Sequence, residues 1–176
     1  MSEMRTLFAI VMLAGVAAAR TPETNAPPSS ETRVMKPSPT FTLKDLDDHD
    51  VCSTNFAGTT RIVLFWANWD EPCRKQLPAL VELQREYGTN GLQVLALSLD
   101  NRDVPAIKDT IAKNGVTFPV LMADYAAVQG FGGLEAIPTL FIVESHGMII
   151  SRFVGLTEKK AIESILRSLL RIESPK

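Results

Sequence analysis

Only two cysteines and two histidines occur in the 176 residues. Cys52 and Cys73 cannot build the dense disulfide framework that staples small secreted domains. His49 and His146 stand alone, so no ligand set at zinc spacing is present. A charge excess of one sign is missing too. The 18 Lys and Arg against 20 Asp and Glu leave a net charge of −2, which gives no basis for nucleic acid or an anionic membrane surface as a partner. No apolar run reaches the ~20 residues that span a bilayer. No internal repeat of solenoid or propeller spacing occurs.

A shorter apolar run does occur, from Leu7 to Ala19, preceded by Arg5 and closed by Ala17, Ala18 and Ala19. That pattern predicts a secretory signal peptide over residues 1–19, cut near Arg20. The alternative is a short uncleaved anchor, which would bring membrane contact. Either way the domain is expected outside the cytoplasm, periplasmic or extracytoplasmic, with no cysteine after the run to accept a lipid. Residues 20–39 hold five prolines with Ser, Thr, Asn and Glu and read as a solvated linker. Residues 40–172 then form one domain, long enough for a core of its own.

Within it, strand and helix signals alternate. Thr40–Leu43 and Val51–Cys52 predict a short hairpin around the turn-forming Asp45, Asp47, Asp48 and Asp50, a cluster without the glycine and terminal glutamate of an EF-hand. Arg61–Trp66 is a β-rich apolar run. Glu71–Tyr87 has helical periodicity, with Pro78 expected to kink it. Leu92–Leu99 is apolar at nearly every position, as in a parallel strand buried on both faces. Asp103-Val104-Pro105 opens a helix that ends at Asn114-Gly115. Two further strands, Thr139–Val143 and Met148–Phe153, flank the turn Glu144–Gly147. A last helix from Thr157 carries Ile162, Ile165, Leu166, Leu169 and Leu170 on one face. The expected class is α/β, a mixed sheet with helices packed on it.

Chemistry concentrates in Phe65-Trp66-Ala67-Asn68-Trp69-Asp70-Glu71-Pro72-Cys73, where a buried strand turns into a helix, and in Ala136-Ile137-Pro138-Thr139 before another strand. Asp70 is placed to cap the helix through free backbone N–H groups, worth ~0.5–2 kcal/mol. Cys73 reads either as a small buried residue or as a working thiol. A helix N-terminus lowers a thiol pKa, whereas burial and the carboxylates Asp70 and Glu71 raise it. The expected balance is a protonated thiol.

These two segments resemble the thioredoxin superfamily, and within it the exported TlpA/ResA-like thiol–disulfide oxidoreductases. The resemblance covers about Met35 to Leu170. It implies a thioredoxin fold with an N-terminal β-hairpin, a central strand–helix insertion and a cis Pro138 facing the redox motif, with no cofactor. It also implies a groove around Trp69, Cys73 and Pro138 that takes an extended segment of an unidentified protein or peptide partner. Glu71, Pro72 and Ile137 complete its surround. Cys52 and Cys73 fall on different elements in that fold, against a disulfide between them. The departures bear on function. The pattern would read Trp-Cys-Glu-Pro-Cys; Asp70 stands at the nucleophilic cysteine and only the resolving Cys73 remains. Leu64 stands where relatives often carry a buried Asp or Asn, and Gln76 where a glutamate is found.

Thiol–disulfide exchange needs one thiolate to attack and a second thiol to release the mixed disulfide. The expectation is therefore a thiol–disulfide oxidoreductase relative whose dithiol turnover is lost. The alternative is a non-redox binding or chaperone-like module on the same frame. A one-cysteine peroxidase ranks below both, since its Pro-x-x-x-Thr-x-x-Cys run would need proline and threonine where Trp66 and Asp70 stand.

Overall fold

The structure is a computed structural model describing residues 30–100 and 103–170. The signal-peptide segment 1–19, linker positions 20–29 and the final two positions of the expected domain, 171–172, lie outside the described residues. In chain order the elements are β1 (Ser30–Pro37), β2 (Thr42–Lys44), β3 (Asp50–Cys52), β4 (Thr60–Trp66), α1 (Glu71–Tyr87), β5 (Leu92–Ser98), α2 (Val104–Lys113), β6 (Val120–Met122), α3 (Tyr125–Gly130), β7 (Thr139–Val143), β8 (Met148–Val154) and α4 (Lys159–Leu169). Among the described residues, no helix is long and apolar enough to cross a membrane.

The two most continuous apolar runs become the centre of the sheet. Strands β4 and β5 pair in parallel, with Ile62 opposite Val94 and Trp66 opposite Ser98. The six-stranded order is β1-β8-β7-β4-β5-β6. Strand β6 extends the parallel side, while β7, β8 and β1 add antiparallel neighbours. Side chains alternate across β4 and feed two cores. Ile62, Leu64 and Trp66 join Cys73, Leu77 and Leu80 of α1, Ile107 of α2, and Ile162 and Leu166 of α4. Val63 and Phe65 join Leu43 of β2, Ala127 of α3, Phe131 and Phe141 on the other face. Helices thus cover both faces of a mixed sheet, as expected of a thioredoxin-like α/β domain. The hairpin β2–β3 forms its own small sheet, touching the main one through a bridge between Asp45 and Leu121. Its turn is organised by Asp45, whose carboxylate accepts from the N–H groups of Asp47 and His49.

The expected linker is too long. Residues 20–39 read as solvated chain, yet Ser30–Pro37 pair antiparallel with β8. Composition misleads here because β1 is an edge strand held by backbone hydrogen bonds. Only Val34 and Lys36 in it are even half-buried, so it needs no apolar stripe. Pro78, where a kink is expected, lies inside a continuous helix. Helix α1 runs through it from Glu71 to Tyr87 without a break. The proline is exposed, so its ring projects away from the core and only one backbone N–H is lost.

Helix α1 is held to α4 by a polar cluster. The buried Tyr87 donates its hydroxyl to Glu163, which also accepts from Arg167 at 2.9 Å. The Tyr87 hydrogen bond, then that of Arg167, holds the Glu163 carboxyl below its ordinary value of 4.5. A carboxylate with a lowered folded pKa stabilises fully above its unfolded pKa, and that contribution disappears as pH falls through the folded value. Tyr87→Phe should therefore cost about 1 kcal/mol at pH 7, roughly 2–4 °C in Tm. As pH falls through the lowered Glu163 value and the carboxyl takes up a proton, the gap between the two proteins should close. Heat-unfolding curves across that range check this, and an undiminished gap at low pH would mean that the hydroxyl acts without Glu163.

Candidate functional site

Strand β4 ends at Trp66, and four residues turn the chain into α1. That turn is fixed at Asn68 from two sides. The Asn68 N–H donates to both oxygens of Asp100, at 2.8 and 3.1 Å. The Asn68 carbonyl accepts from the Arg74 guanidinium at 2.5 Å. Asp100 is itself buried and accepts from the Ser98 hydroxyl at 2.7 Å. The next residue, Trp69, is 70% exposed, so a rigid turn presents a large apolar ring to solvent.

Asp70 has extended backbone angles, φ −92° and ψ 122°, and caps α1. Its carboxylate accepts from the Cys73 backbone N–H at 2.9 Å, which meets one of the free donors of the first helical turn. Glu71 and Pro72 are exposed on that turn, and Glu71 pairs with Lys75 at 2.8 Å. Cys73 is 0% exposed, packed in the core that contains Leu64 and Leu77.

Burial is the main reason the Cys73 thiol is pushed far above its ordinary pKa of 9.0. Hydrogen bonding to the Asp70 side chain pushes the same way, as do, more weakly, the charges of Asp70 and Asp100, while a hydrogen bond with the Ala67 backbone opposes them. Glu71, expected to share in this effect, is not among its main causes; its carboxylate pairs with Lys75. Asp100 takes that part. Leu64 contributes through packing, since the position that could hold a polar group is filled by a fully buried leucine in the same core.

The second expected segment reaches the same end of the sheet. The Ile137–Pro138 bond is cis. Thr139, the next residue, lies opposite Phe65, which puts Pro138 beside the point where β4 runs out toward Asp70. Ile137 packs against the core holding Cys73. Gln76 is buried and spends its amide on backbone: it donates to the Thr157 carbonyl at 3.1 Å and accepts from the Thr157 N–H at 2.7 Å. Asp70, Cys73, Trp69, Ile137 and Pro138 thus cluster around the β4–α1 turn. Cys52 does not join them; it lies on β3, and both cysteines are free thiols. Sequence reasoning missed Asp100, Ser98, Arg74 and Thr157. A signal existed for Asp100: a carboxylate directly after a strand buried on both faces, on the C-terminal edge of parallel strands where α/β folds place their sites.

The arrangement holds one protonated, inaccessible thiol and no second one beside it. Its reactivity should be correspondingly low. The Cys52 thiol is only half-buried and its pKa is lowered, chiefly by the Thr54 hydroxyl. In the native protein, iodoacetamide at pH 7–8 should modify Cys52 first and leave Cys73 unmodified until the chain unfolds. Peptide mass spectrometry, repeated on Cys52→Ser, measures this. Rapid native labelling of Cys73 would show that the helix N-terminus outweighs burial and the two carboxylates.

Comparison with known proteins gives a consistent result. The AhpC/TSA family pattern matches residues 34–152. "Thiol-disulfide oxidoreductase ResA" of Bacillus anthracis is 27% identical over 137 residues, 78% of this chain and 79% of that protein. "Thioredoxin-like protein YneN" of Bacillus subtilis is 31% identical over 134 residues, 73% of this chain and 76% of that protein. Among solved structures, a thioredoxin-family thiol:disulfide interchange protein from Chlorobium tepidum superposes with a TM-score of 0.70 at 27% identity, covering 79% of this chain and 99% of that one.

Proposed function

The chain belongs to the AhpC/TSA family, and on that premise we propose that it is an exported ResA-type thiol–disulfide oxidoreductase relative in which dithiol turnover has been lost. The carrying observation is the cap: the Asp70 carboxylate occupies the helix-start position and is bonded to the Cys73 N–H at 2.9 Å. In a two-cysteine site a thiolate there attacks a disulfide, one sulfur of the partner leaves as thiolate, and the second thiol then displaces the other. A carboxylate cannot form the sulfur–sulfur bond of the first step. Cys73 could supply only one sulfur, and its burial opposes even that. Export rests on the apolar run Leu7–Ala19, and the residues before β1 serve as leader and linker in this reading.

What such a protein retains is the recognition half of the site. Trp69 stays exposed on a pinned turn, near the edge that Pro138 lines, which favours a second reading: a module that binds an extended protein segment without redox chemistry. The peroxidase reading receives no such support, because Trp66 and Asp70 stand at its activating positions and Cys73 is protonated and buried. Multiple-turnover reduction of a model disulfide by the purified chain tests the proposal. No turnover is expected, and catalysis by the unaltered protein would overturn it.

A further inference from the structure

Arg61 is the second residue of β4 and lies at the end of the sheet opposite the β4–α1 turn, about 17 Å from Trp66 along the strand at ~3.3 Å per residue. It is 8% exposed. Among the described residues no carboxylate pairs with it, and its buried Nε has no hydrogen-bond partner. Burial pulls its pKa down, with no opposing charge to restore it. Buried guanidinium groups are ordinarily paired, because an isolated charge out of water is strongly unfavourable.

The group lies beside a cleft. Arg61 lines a cavity of about 180 Å³ with Ser38, Thr40, Ser53, Thr54, Ser145 and His146, and the lining contains no aspartate or glutamate. The guanidinium approaches the hairpin glycine between β7 and β8; Nη2 lies 3.9 Å from where a Cβ on Gly147 would stand. Ser53 Oγ accepts from the Phe41 N–H at 3.0 Å, which leaves its own proton to donate. The Ser38 hydroxyl rests on the Pro39 carbonyl at 3.4 Å, Thr54 Oγ1 on Cys52 Sγ at 2.9 Å and Ser145 Oγ on His146 Nδ1 at 3.5 Å. A buried cation with an open fork, beside hydroxyls that can turn to a ligand and without acidic residues, has the chemistry of an oxyanion receptor.

We propose that this cleft binds a phosphate group, held by Arg61 and oriented by the surrounding hydroxyls and the His146 ring. The ligand is either inorganic phosphate or the phosphate of a small monoester. The many donors favour a tetrahedral oxyanion over a carboxylate, which offers only two oxygens. The site is separate from the Asp70–Cys73 cluster and does not depend on any redox activity there.

Heat unfolding of the parent and of Arg61→Met tests this, in chloride, in inorganic phosphate and in phenyl phosphate at equal ionic strength. Phosphate should raise the Tm of the parent saturably by about 5 °C, and should leave that of Arg61→Met unchanged. In chloride alone Arg61→Met should be at least as stable as the parent, since it removes an unpaired buried charge. A larger rise with phenyl phosphate identifies a monoester as the ligand type, and an equal or smaller one the free anion. Independently of the variant, titrating the parent with inorganic phosphate should shift amide resonances confined to Thr54, His146 and Gly147. No saturable rise over chloride, an equal rise in Arg61→Met, or shifts scattered over the surface would overturn the proposal.

Discussion

Replacing Asp70 by cysteine should yield a protein that reduces a model disulfide over many turnovers, at least about tenfold faster than the parent. The argument starts from the cap. Asp70 already occupies the N-terminal position of α1, three residues before Cys73 and bonded to its N–H. A cysteine there would meet the positive end of the helix, which stabilises a thiolate. The substitution also removes the hydrogen bond and charge of Asp70, two of the causes that raise the Cys73 thiol; burial and the Asp100 charge remain. The turn itself should not move, because Asn68 is held by Asp100 and Arg74 rather than by Asp70. Two features limit the rate. Leu64 offers no proton relay, and the Gln76 amide is committed to Thr157. Loss of the carboxylate cap should lower stability by about 1 kcal/mol. Coupled turnover with a thiol reductant measures the gain, and mass spectrometry after mild oxidation reports the new bond. An unchanged rate together with no disulfide between positions 70 and 73 would mean that the frame no longer supports dithiol geometry, and the binding-module reading would then stand.

Asp100→Ala should have the largest effect on stability of any single change at the site. The Asp100 carboxylate accepts from the Asn68 N–H through both oxygens and from Ser98 Oγ. Alanine leaves the buried Ser98 hydroxyl and the half-buried Asn68 N–H without their acceptor, at about 3 kcal/mol together, or roughly 6–12 °C in Tm. Asp100→Asn keeps one acceptor oxygen and should lose about 1 kcal/mol. The loss should also be local: with Asn68 released, Trp69 fluorescence should shift, whereas the Tyr87–Glu163 contact on the far end of α1 should keep its pH response. A Tm within 1–2 °C of the parent, about 0.5 kcal/mol, would show that water replaces the carboxylate and that the turn is not pinned from below.

The contrast between Asp100 and Asp70 explains how far the sequence carries. Asp70 was legible because its role is local: a carboxylate at a helix start, read from its neighbours in the chain. The central strands were legible because burial on both faces leaves an uninterrupted apolar run. For Asp100 only the position, just after a buried strand, was legible; its role was not, since its partner Asn68 is 32 residues away and nothing near Asp100 signals that pairing. The same holds for Gln76 and Thr157, joined across 81 residues. It holds again for β1, whose backbone pairing with β8 leaves no trace in its polar side chains. Glu71 shows the opposite case: its closeness to Cys73 in sequence points to that thiol, whereas its carboxylate pairs with Lys75.

That added strand β1 has a consequence for how the molecule lives among copies of itself. A sheet ends in rows of unpaired amides and carbonyls, which recruit other strands and seed aggregates. Without β1, that row would be the seven residues of β8, with Ile149, Ser151 and Phe153 buried beneath it. Strand β1 takes up the row and offers the outside Glu31, Arg33 and Pro37 instead. Its register shifts between Arg33 and Lys36, and such an irregularity makes a poor template for a newcomer. At the opposite margin β6 is only three residues long, and Leu121 within it already bridges to Asp45 of the hairpin. One margin of the sheet is thus guarded by charge and irregularity and the other by brevity and cover, so neither offers an incoming strand a long, regular row to pair with.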